Sequence, residues 1–254
     1  MEEDLIVVSR QNREKSSSGF YHVMVRGINK NDLFLEDEDK NYFLHVLADK
    51  KEQCDFLLPA YCLMDNHVHM LIKEQTMGLS NIMKSVNVTY AGYFNRKYDR
   101  VGPLFQGRYR SEDIEDENYF LAVARYIHQN PMKAGMVSAP ELYKWSSYSD
   151  YINIDKQNKL ADTGIILEMF GYERGNVSEE FKNFMVQEDQ SDFLDVKNKN
   201  DYLRMGKDIW MHLMLSDMAE EDKLQLLKER SNLSLRDLAE ITGINKNKIQ
   251  RALR

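Results

Sequence analysis

The sequence predicts an α+β fold, in which a small antiparallel sheet has helices on one face and an all-α region follows at the C-terminus. Segments with an apolar period of two alternate with segments of helical period over residues 1–150. Two of the strand-like segments are separated by only the dipeptide Asp65-Asn66, which is typical turn chemistry and indicates an antiparallel hairpin. The last 50 residues show helical patterns only.

Three strands are predicted in the first 150 residues. A first apolar segment stops at Gly27, and the other two flank the turn at Asp65 and Asn66. The predicted strands cover residues 20–27, 56–64 and 67–72.

Three helices alternate with these strands or follow them. The first carries acidic residues in its first turn, which is favourable beside the positive end of a helix. The third is expected to end before Pro131, because proline disfavours helical geometry at the preceding residue. The predicted helices cover residues 37–53, 79–98 and 117–130.

The C-terminal region shows a helix-turn-helix pattern. A short amphipathic segment over residues 234–242 runs into Gly243, and a basic segment over residues 244–253 follows. The alternative is a small helical module for packing or oligomerisation. The domain organisation is therefore predicted as a first domain over 15–150, a connecting region over 151–204 and a helical DNA-binding domain over 205–254.

Composition excludes several classes of protein. The chain has 254 residues, 43% of them hydrophobic, which is enough for a core and excludes a disordered chain. No run of 18 apolar residues is present, so a membrane span is not expected. The acidic N-terminus lacks the pattern of a signal peptide, and Cys54 and Cys62 cannot build a disulfide framework. A reduced, cytoplasmic setting is therefore expected.

The formal charge of −7 argues against a nucleic-acid partner when the chain is taken as a whole. Locally the charge is reversed, since residues 96–110 hold five basic side chains and one acidic one, and the last 24 residues hold five and two. Arginines interleaved with aromatic residues suit single-stranded nucleic acid. The alternative is a solvated helix end and loop. The predicted DNA contacts, including one arginine at the end of the first strand, are Arg26, Arg96, Lys97, Arg100, Arg108, Tyr109, Arg110, Lys246, Lys248 and Arg251.

His67 and His69 are the first candidates for chemistry. Side chains at positions i and i+2 of a strand point to the same face, so the two imidazoles are expected to converge as metal ligands must. An isolated pair of this kind can also be incidental. The apolar flanks place it on a buried strand, however, where two histidines need polar partners or a metal.

Tyr126 is the candidate nucleophile. On a helix it shares a face with Asn130 at i+4, and Gln129 at i+3 lies close to that face. A phenol with a pKa near 10 is a poor nucleophile unless a metal polarises the electrophile beside it. The alternative is a core tyrosine on an amphipathic helix.

Taken in order, these residues resemble one family. The motifs Tyr-His-Val-Met-Val-Arg-Gly at 21–27, His-Val-His at 67–69, Gly-Arg-Tyr-Arg at 107–110 and Tyr-Ile-His-Gln-Asn-Pro at 126–131 occur in the order seen in single-tyrosine HUH transposases. They are most similar to the REP-associated tyrosine transposases of bacteria. HUH denotes two histidines around a hydrophobic residue. The resemblance covers roughly residues 15–150.

The resemblance implies a ferredoxin-like HUH fold and a mechanism. Tyr126 is expected to attack single-stranded DNA at hairpin-forming repeats, leaving a 5′-phosphotyrosine and a free 3′-hydroxyl. Mg²⁺ or Mn²⁺ is expected on His67, His69 and an amide of the tyrosine helix, Asn130 with Gln129 as a nearby candidate. The C-terminal region could add contacts to duplex DNA. Monomer and homodimer both remain open.

Three other functions are compatible with parts of the pattern. A nicking protein or replication initiator could use Tyr119 as a second tyrosine, seven residues before Tyr126. A catalytically silent DNA-binding regulator could keep the fold alone. A zinc hydrolase would need a general-base carboxylate, for which only Asp65 is close to the histidines in sequence.

Overall fold

A computed structural model describes residues 16–153, 159–170, 177–187, 199–214, 216, 218–231 and 233–253. The chain divides into two compact units, Met1–Leu194 and Asp195–Arg254. Each unit has a hydrophobic core of its own.

The first unit is built on a four-stranded sheet in which all neighbouring strands are antiparallel. The predicted hairpin is confirmed, since the second and third strands pair on either side of the turn at Asp65 and Asn66. The spatial order is β2-β3-β1-β4. The strands are β1 (Phe20–Arg26), β2 (Phe56–Leu63), β3 (His67–Glu74) and β4 (Arg110–Ile114).

The sequence pattern did not indicate β4. Its five residues, Arg-Ser-Glu-Asp-Ile, are mostly charged or polar and would be assigned to a loop by propensity. Pairing with β1 overrides that preference, because β1 offers a full row of backbone partners from Phe20 to Met24.

Three long helices accompany the sheet. They are α1 (Asp37–Cys54), α2 (Leu79–Lys97) and α3 (Glu117–Lys133). The expectation that α3 ends at Pro131 is wrong: the helix continues to Lys133, and Ala134 still donates its backbone N–H to the Asn130 carbonyl. A proline so close to the end removes a single helical hydrogen bond, and the ring of Pro131 is buried.

The order β1-α1-β2-β3-α2-β4 with this strand arrangement is the predicted ferredoxin-like fold. Both crossovers are expected to be right-handed, which brings α1 and α2 to the same face of the sheet. The two helices also pack on each other, with Tyr42 stacked on Tyr93 at 3.7 Å between ring centroids.

The α3 helix lies on the sheet face that carries the even-numbered side chains of β1. The Phe120 ring meets Phe20 edge-on at 4.8 Å between centroids, and the Tyr126 ring, nearly two helical turns later, meets His22 edge-on at 5.8 Å. The alternate side chains Val23 and Val25 point to the opposite face and are also buried. Both faces of the sheet are therefore covered.

Segments after α3 complete the core of the first unit. Ser147 and Trp145 hydrogen-bond to the free edge of β2, and the Tyr151 ring stacks on Phe181 at 4.5 Å. The described residues between 151 and 187 thus add to the first core, although the sequence suggested only a connection. The helices here are α4 (Tyr148–Ile152), α5 (Gly164–Met169) and α6 (Val177–Met185).

The second unit is all-α, as predicted. Its core includes Leu224, Leu227 and Leu238. Ser234 begins α9 with a capping box to Asp237, and Gly243 ends it at φ +71°, a left-handed conformation that favours glycine. The helices are α7 (Lys199–Met214), α8 (Glu220–Ser231), α9 (Leu235–Thr242) and α10 (Lys246–Ala252).

Within the residues that the structure describes, no helix is both long and apolar enough to cross a membrane.

At Gly27 the backbone passes very close to that of Asn31, beside the turn at Asp65 and Asn66. Its N–H donates to the Asn66 carbonyl, and a Cβ atom at this position would lie 2.0 Å from the carbonyl oxygen of Asn31. We expect Gly27→Ala to lower the free energy of unfolding by about 1–3 kcal/mol or more, because backbone has to move. Urea unfolding measures this change.

The matched control for that substitution is Gly78→Ala. A Cβ at Gly78 meets only the flexible Glu74 side chain, at 3.9 Å, and the residue has φ −64°. Its substitution is expected to cost less than about 1 kcal/mol. Equal losses for both variants would contradict the close-approach argument.

Candidate active site

His67 and His69 lie side by side on β3. Their ring centroids are 5.0 Å apart, and in the strand register they face Arg26 and Met24 of β1 respectively. His69 is fully buried, whereas His67 lies at the start of the strand and is half-buried. The convergence that the i, i+2 spacing predicts is therefore present.

Tyr126 of α3 packs against these histidines. Its ring stands perpendicular to that of His69 at 5.4 Å between centroids, and it is 6% exposed. The nearby packing of Phe120 on Phe20 helps to fix α3 on the sheet. A rigid strand and a rigid helix thus bring the histidine pair and the phenol into one site.

The two candidate amides on α3 differ in what they contact. The Gln129 amide nitrogen donates to the Met185 carbonyl at 2.7 Å and to the Gln187 carbonyl at 3.0 Å. The Asn130 amide nitrogen instead donates to the backbone carbonyl of Tyr126 at 3.0 Å, one helical turn earlier. Because the Gln129 amide is bonded at the C-terminal end of α6, Asn130 is the better candidate for the amide beside the nucleophile, and its role as a ligand stays a prediction.

His22 on β1 is a further member of the site that the sequence analysis did not single out. Its Nε2 lies 3.0 Å from Nδ1 of His69, and its ring centroid is 5.8 Å from that of Tyr126. The sequence did contain an indication of this role: His22 lies in a strand of apolar residues, and a histidine buried there requires a polar partner. The identity of that partner depends on the register between β1 and β3.

Burial keeps the inner histidines neutral. It lowers the pKa of His22 to about 3, and burial together with the neighbouring His22 and His67 holds the pKa of His69 well below its usual range. Neutral imidazole is the form that binds a metal.

His69 also has a nitrogen suited to that purpose. Its Nε2 is buried and makes no hydrogen bond among the described residues. In the described part of the chain, no three His, Cys, Asp or Glu side chains cluster tightly enough to hold a metal. A metal here would therefore need the two histidines plus oxygen ligands of another kind, such as an amide, water or phosphate. That donor set suits Mg²⁺ or Mn²⁺ better than a structural zinc.

Two predicted DNA contacts lie on the same sheet face as the histidines. Arg110 of β4 is directly opposite Met24, which in turn faces His69, so the three form one row across the sheet. Arg26 faces His67 in the next row. Positive charge is thus placed at the histidine end of the sheet.

Other predicted DNA contacts occupy different environments. Arg96 and Arg108 are exposed, and the Arg100 guanidinium lies 5.4 Å from the centroid of the Phe94 ring. In the second unit, Lys246 and Arg251 are exposed on α10. Lys248 is exposed on the same helix and pairs with Glu220 at 2.6 Å.

Two of the predicted contacts do not fit a DNA-binding surface. The Lys97 ammonium bonds to Glu36 at 2.5 Å and to Glu38 and Asp39 at 2.9 Å, so its charge is already compensated. Tyr109 is 6% exposed and its hydroxyl shares a hydrogen bond with Ser80, which leaves its ring unavailable for stacking on a base. We leave both out of the proposed DNA surface.

A ferredoxin-like sheet with a His-hydrophobic-His strand beneath a tyrosine helix is the arrangement that the resemblance to HUH transposases predicts. Residues 15–130 match the model of the family described as "Transposase IS200 like". This domain is therefore similar to the IS200-like transposases, in agreement with the family resemblance that the motifs indicate.

One solved structure supports the same fold. It is a REP-associated tyrosine transposase bound to a REP hairpin, with a TM-score of 0.50 and 17% sequence identity. The match covers 61% of this chain and 94% of that chain. No curated protein matches the sequence.

Proposed function

We propose that this transposase cleaves and rejoins single-stranded DNA at hairpin-forming repeats, with Tyr126 as the nucleophile. The observation that carries the proposal is the position of the Tyr126 ring, 5.4 Å from a buried His69 whose Nε2 has no hydrogen-bond partner among the described residues. The hairpin is proposed because the similar solved structure is bound to one.

The chemical step is a transesterification at phosphorus. The phenol oxygen of Tyr126 forms a bond to phosphorus as the bond to the DNA 3′ oxygen breaks. The phenol loses its proton and the leaving 3′ oxygen gains one, so the products are a 5′-phosphotyrosine and a 3′-hydroxyl. One phosphate diester replaces another, so the number of phosphodiester bonds is unchanged. A second DNA 3′-hydroxyl can therefore attack the phosphotyrosine and release Tyr126 without an external energy source.

His67, His69 and Asn130 are the residues that would hold the metal. A bound Mg²⁺ or Mn²⁺ supplies charge neutralisation at the non-bridging phosphate oxygens. The chain itself supplies orientation, because the tyrosine and the histidines are fixed on packed elements before DNA binds.

Nearby cations favour the same reaction. The Lys133 ammonium lies 5.3 Å from the centroid of the Tyr126 ring, where a positive charge stabilises developing phenolate character. Arg26 and Arg110 share the face of the histidines and would bind the flanking phosphates. Arg96, Arg100 and Arg108 would extend that DNA surface.

The second unit would act as an accessory DNA-binding module. Its α10 follows the turn at Gly243 and exposes Lys246, Lys248 and Arg251, as a recognition helix requires. We propose that it contacts duplex DNA beside the cleavage site.

The alternative of a two-tyrosine initiator has less support. Burial raises the pKa of the Tyr119 phenol above its usual range, and the neighbouring Glu112 carboxylate raises it further. The ring of Tyr126 contacts the rings of His22 and His69. A silent regulator would also not need the histidine pair and the tyrosine to be retained together.

The polarity of the covalent adduct tests this proposal. We expect the full chain, incubated with Mn²⁺ and a hairpin-bearing single strand, to retain the label of a 3′-labelled oligonucleotide through denaturing electrophoresis. A 5′-labelled oligonucleotide should give a shortened free fragment with an extendable 3′ end. An oligonucleotide of the same composition without the hairpin is the control.

Three outcomes contradict the proposal. A label retained from the 5′ end would show the opposite polarity. Binding without an adduct would favour the regulator. Equal cleavage of the control would remove the hairpin from the substrate.

A further inference from the structure

We propose that Glu112 and His22 form a positioning relay that fixes the tautomer and ring orientation of His69. This inference rests on the proposed role of His69 as a metal ligand. Neither Glu112 nor His22 would touch the DNA or the metal, and both would act through the imidazole of His69.

The first contact of the relay joins two buried imidazoles. Nε2 of His22 lies 3.0 Å from Nδ1 of His69, and both side chains have no exposed surface. A hydrogen bond at this distance requires one proton between two nitrogens. Which nitrogen carries the proton determines the tautomer of both rings.

The chemistry of the site decides that question. His69 can bind a metal only through a nitrogen without a proton, and its free nitrogen is Nε2. The proton of His69 must then be on Nδ1 and is donated to Nε2 of His22. The proton of His22 must consequently be on Nδ1, which points away from His69.

Glu112 is placed to accept a hydrogen bond from the N–H at Nδ1 of His22. In the register His22 is directly opposite Glu112, and the distance from Nδ1 of His22 to Oε2 of Glu112 is 4.0 Å. Both atoms are buried and neither has a hydrogen-bond partner in the described residues. Tyr119 is a second neighbour of this carboxylate. A small side-chain movement or one bridging water would complete the contact.

The arrangement has a known physical consequence. A carboxylate that orients a ligating histidine raises the basicity of the ligand and reduces the entropy lost on binding a metal. In metalloenzymes, removal of such a partner commonly lowers the metal affinity by about 10- to 100-fold. In this protein the residue that contacts the ligating His69 is His22, and the carboxylate of Glu112 faces His22 rather than His69.

The test is the affinity of the full chain for Mn²⁺ without DNA, measured by the loss of the free-ion signal in electron paramagnetic resonance. We expect His22→Phe, which keeps the ring volume and removes the acceptor, to weaken Mn²⁺ binding by about 10- to 100-fold. His22→Gln retains an acceptor oxygen and should recover most of the affinity. Glu112→Gln should weaken binding by a smaller factor, about 3- to 10-fold.

His128→Phe is the matched control. His128 is also fully buried, and its Nε2 bonds to the Ser147 hydroxyl at 2.7 Å, away from the proposed ligands. Its substitution should leave the Mn²⁺ affinity unchanged even if the protein becomes less stable. A loss equal to that of His22→Phe would assign the effect to core packing and overturn the relay.

The remaining outcomes separate this inference from the proposed function. Absence of Mn²⁺ binding by the wild-type chain would overturn both the metal site and the relay. Wild-type binding that His67→Ala weakens and His22→Phe leaves unchanged would overturn the relay alone. If His22→Phe does not fold, Glu112→Gln decides: weaker binding supports the relay, and unchanged affinity refutes it.

Discussion

Tyr126→Phe is expected to abolish the covalent adduct with hairpin-bearing DNA and to lower the rate of strand cleavage by more than about 1,000-fold, as removal of an enzyme nucleophile does elsewhere. The substitution removes one oxygen atom and leaves the ring packed against His22 and His69. The fold and the DNA affinity should therefore persist. Adduct formation on denaturing gels and hairpin binding by fluorescence anisotropy separate the two effects.

Tyr119→Phe is the control for this prediction. It removes a hydroxyl from the same helix, on a residue that neighbours Glu112. We expect it to retain the adduct, with at most a modest change in rate. Loss of the adduct in this variant alone would identify Tyr119 as the nucleophile, and loss in both would favour the two-tyrosine mechanism of an initiator.

The second large effect is expected for His67→Ala. This histidine is half-buried at the start of β3, so its truncation leaves no closed cavity in the core. Loss of one of two imidazole ligands should weaken Mn²⁺ binding and lower cleavage at fixed Mn²⁺ by about 100-fold or more. The metal is expected to contribute several kcal/mol to the transition state, and each 1.36 kcal/mol corresponds to a factor of ten.

The matched control is His45→Ala. The His45 side chain is exposed on α1 and pairs with Asp49 at 3.6 Å, with its side chain 69% exposed. Its removal should leave both Mn²⁺ affinity and cleavage unchanged. Full activity of His67→Ala at limiting Mn²⁺ would show that the proposed ligand set is incorrect, whereas partial recovery at high Mn²⁺ would support it.

Much of the fold could be predicted because periodic patterns are local. Alternation of apolar residues marked β1, β2 and β3, and the turn at Asp65 and Asn66 marked the hairpin that carries His67. The spacing of the histidines was informative for the same reason, because side chains two residues apart on a strand point to the same face. The pairing of those residues with Tyr126 came from the resemblance in motif order, not from periodicity.

The differences between prediction and structure have two physical origins: contacts between distant parts of the chain, and local tolerance at a helix end. The charged segment of β4 forms a strand because β1 provides an open edge, and Pro131 stays within α3 because the last turn tolerates one missing hydrogen bond. Lys97 looked like a DNA contact because its immediate neighbours in sequence are basic or aromatic. The carboxylates of Glu36, Glu38 and Asp39 that compensate it lie about 60 positions earlier in the chain.

The sequence by itself therefore indicated the family resemblance, and it located the strand that carries the histidine pair and the helix that carries the tyrosine. Each of these depends on residue types and short spacings. Only the tertiary structure decided how the site is assembled: that His22 contacts His69, that Arg26 and Arg110 share their face, and that the Gln129 amide is bonded at the C-terminal end of α6. The physical reason is that strand register sets which side chains meet, and register is fixed by the packing of the whole sheet.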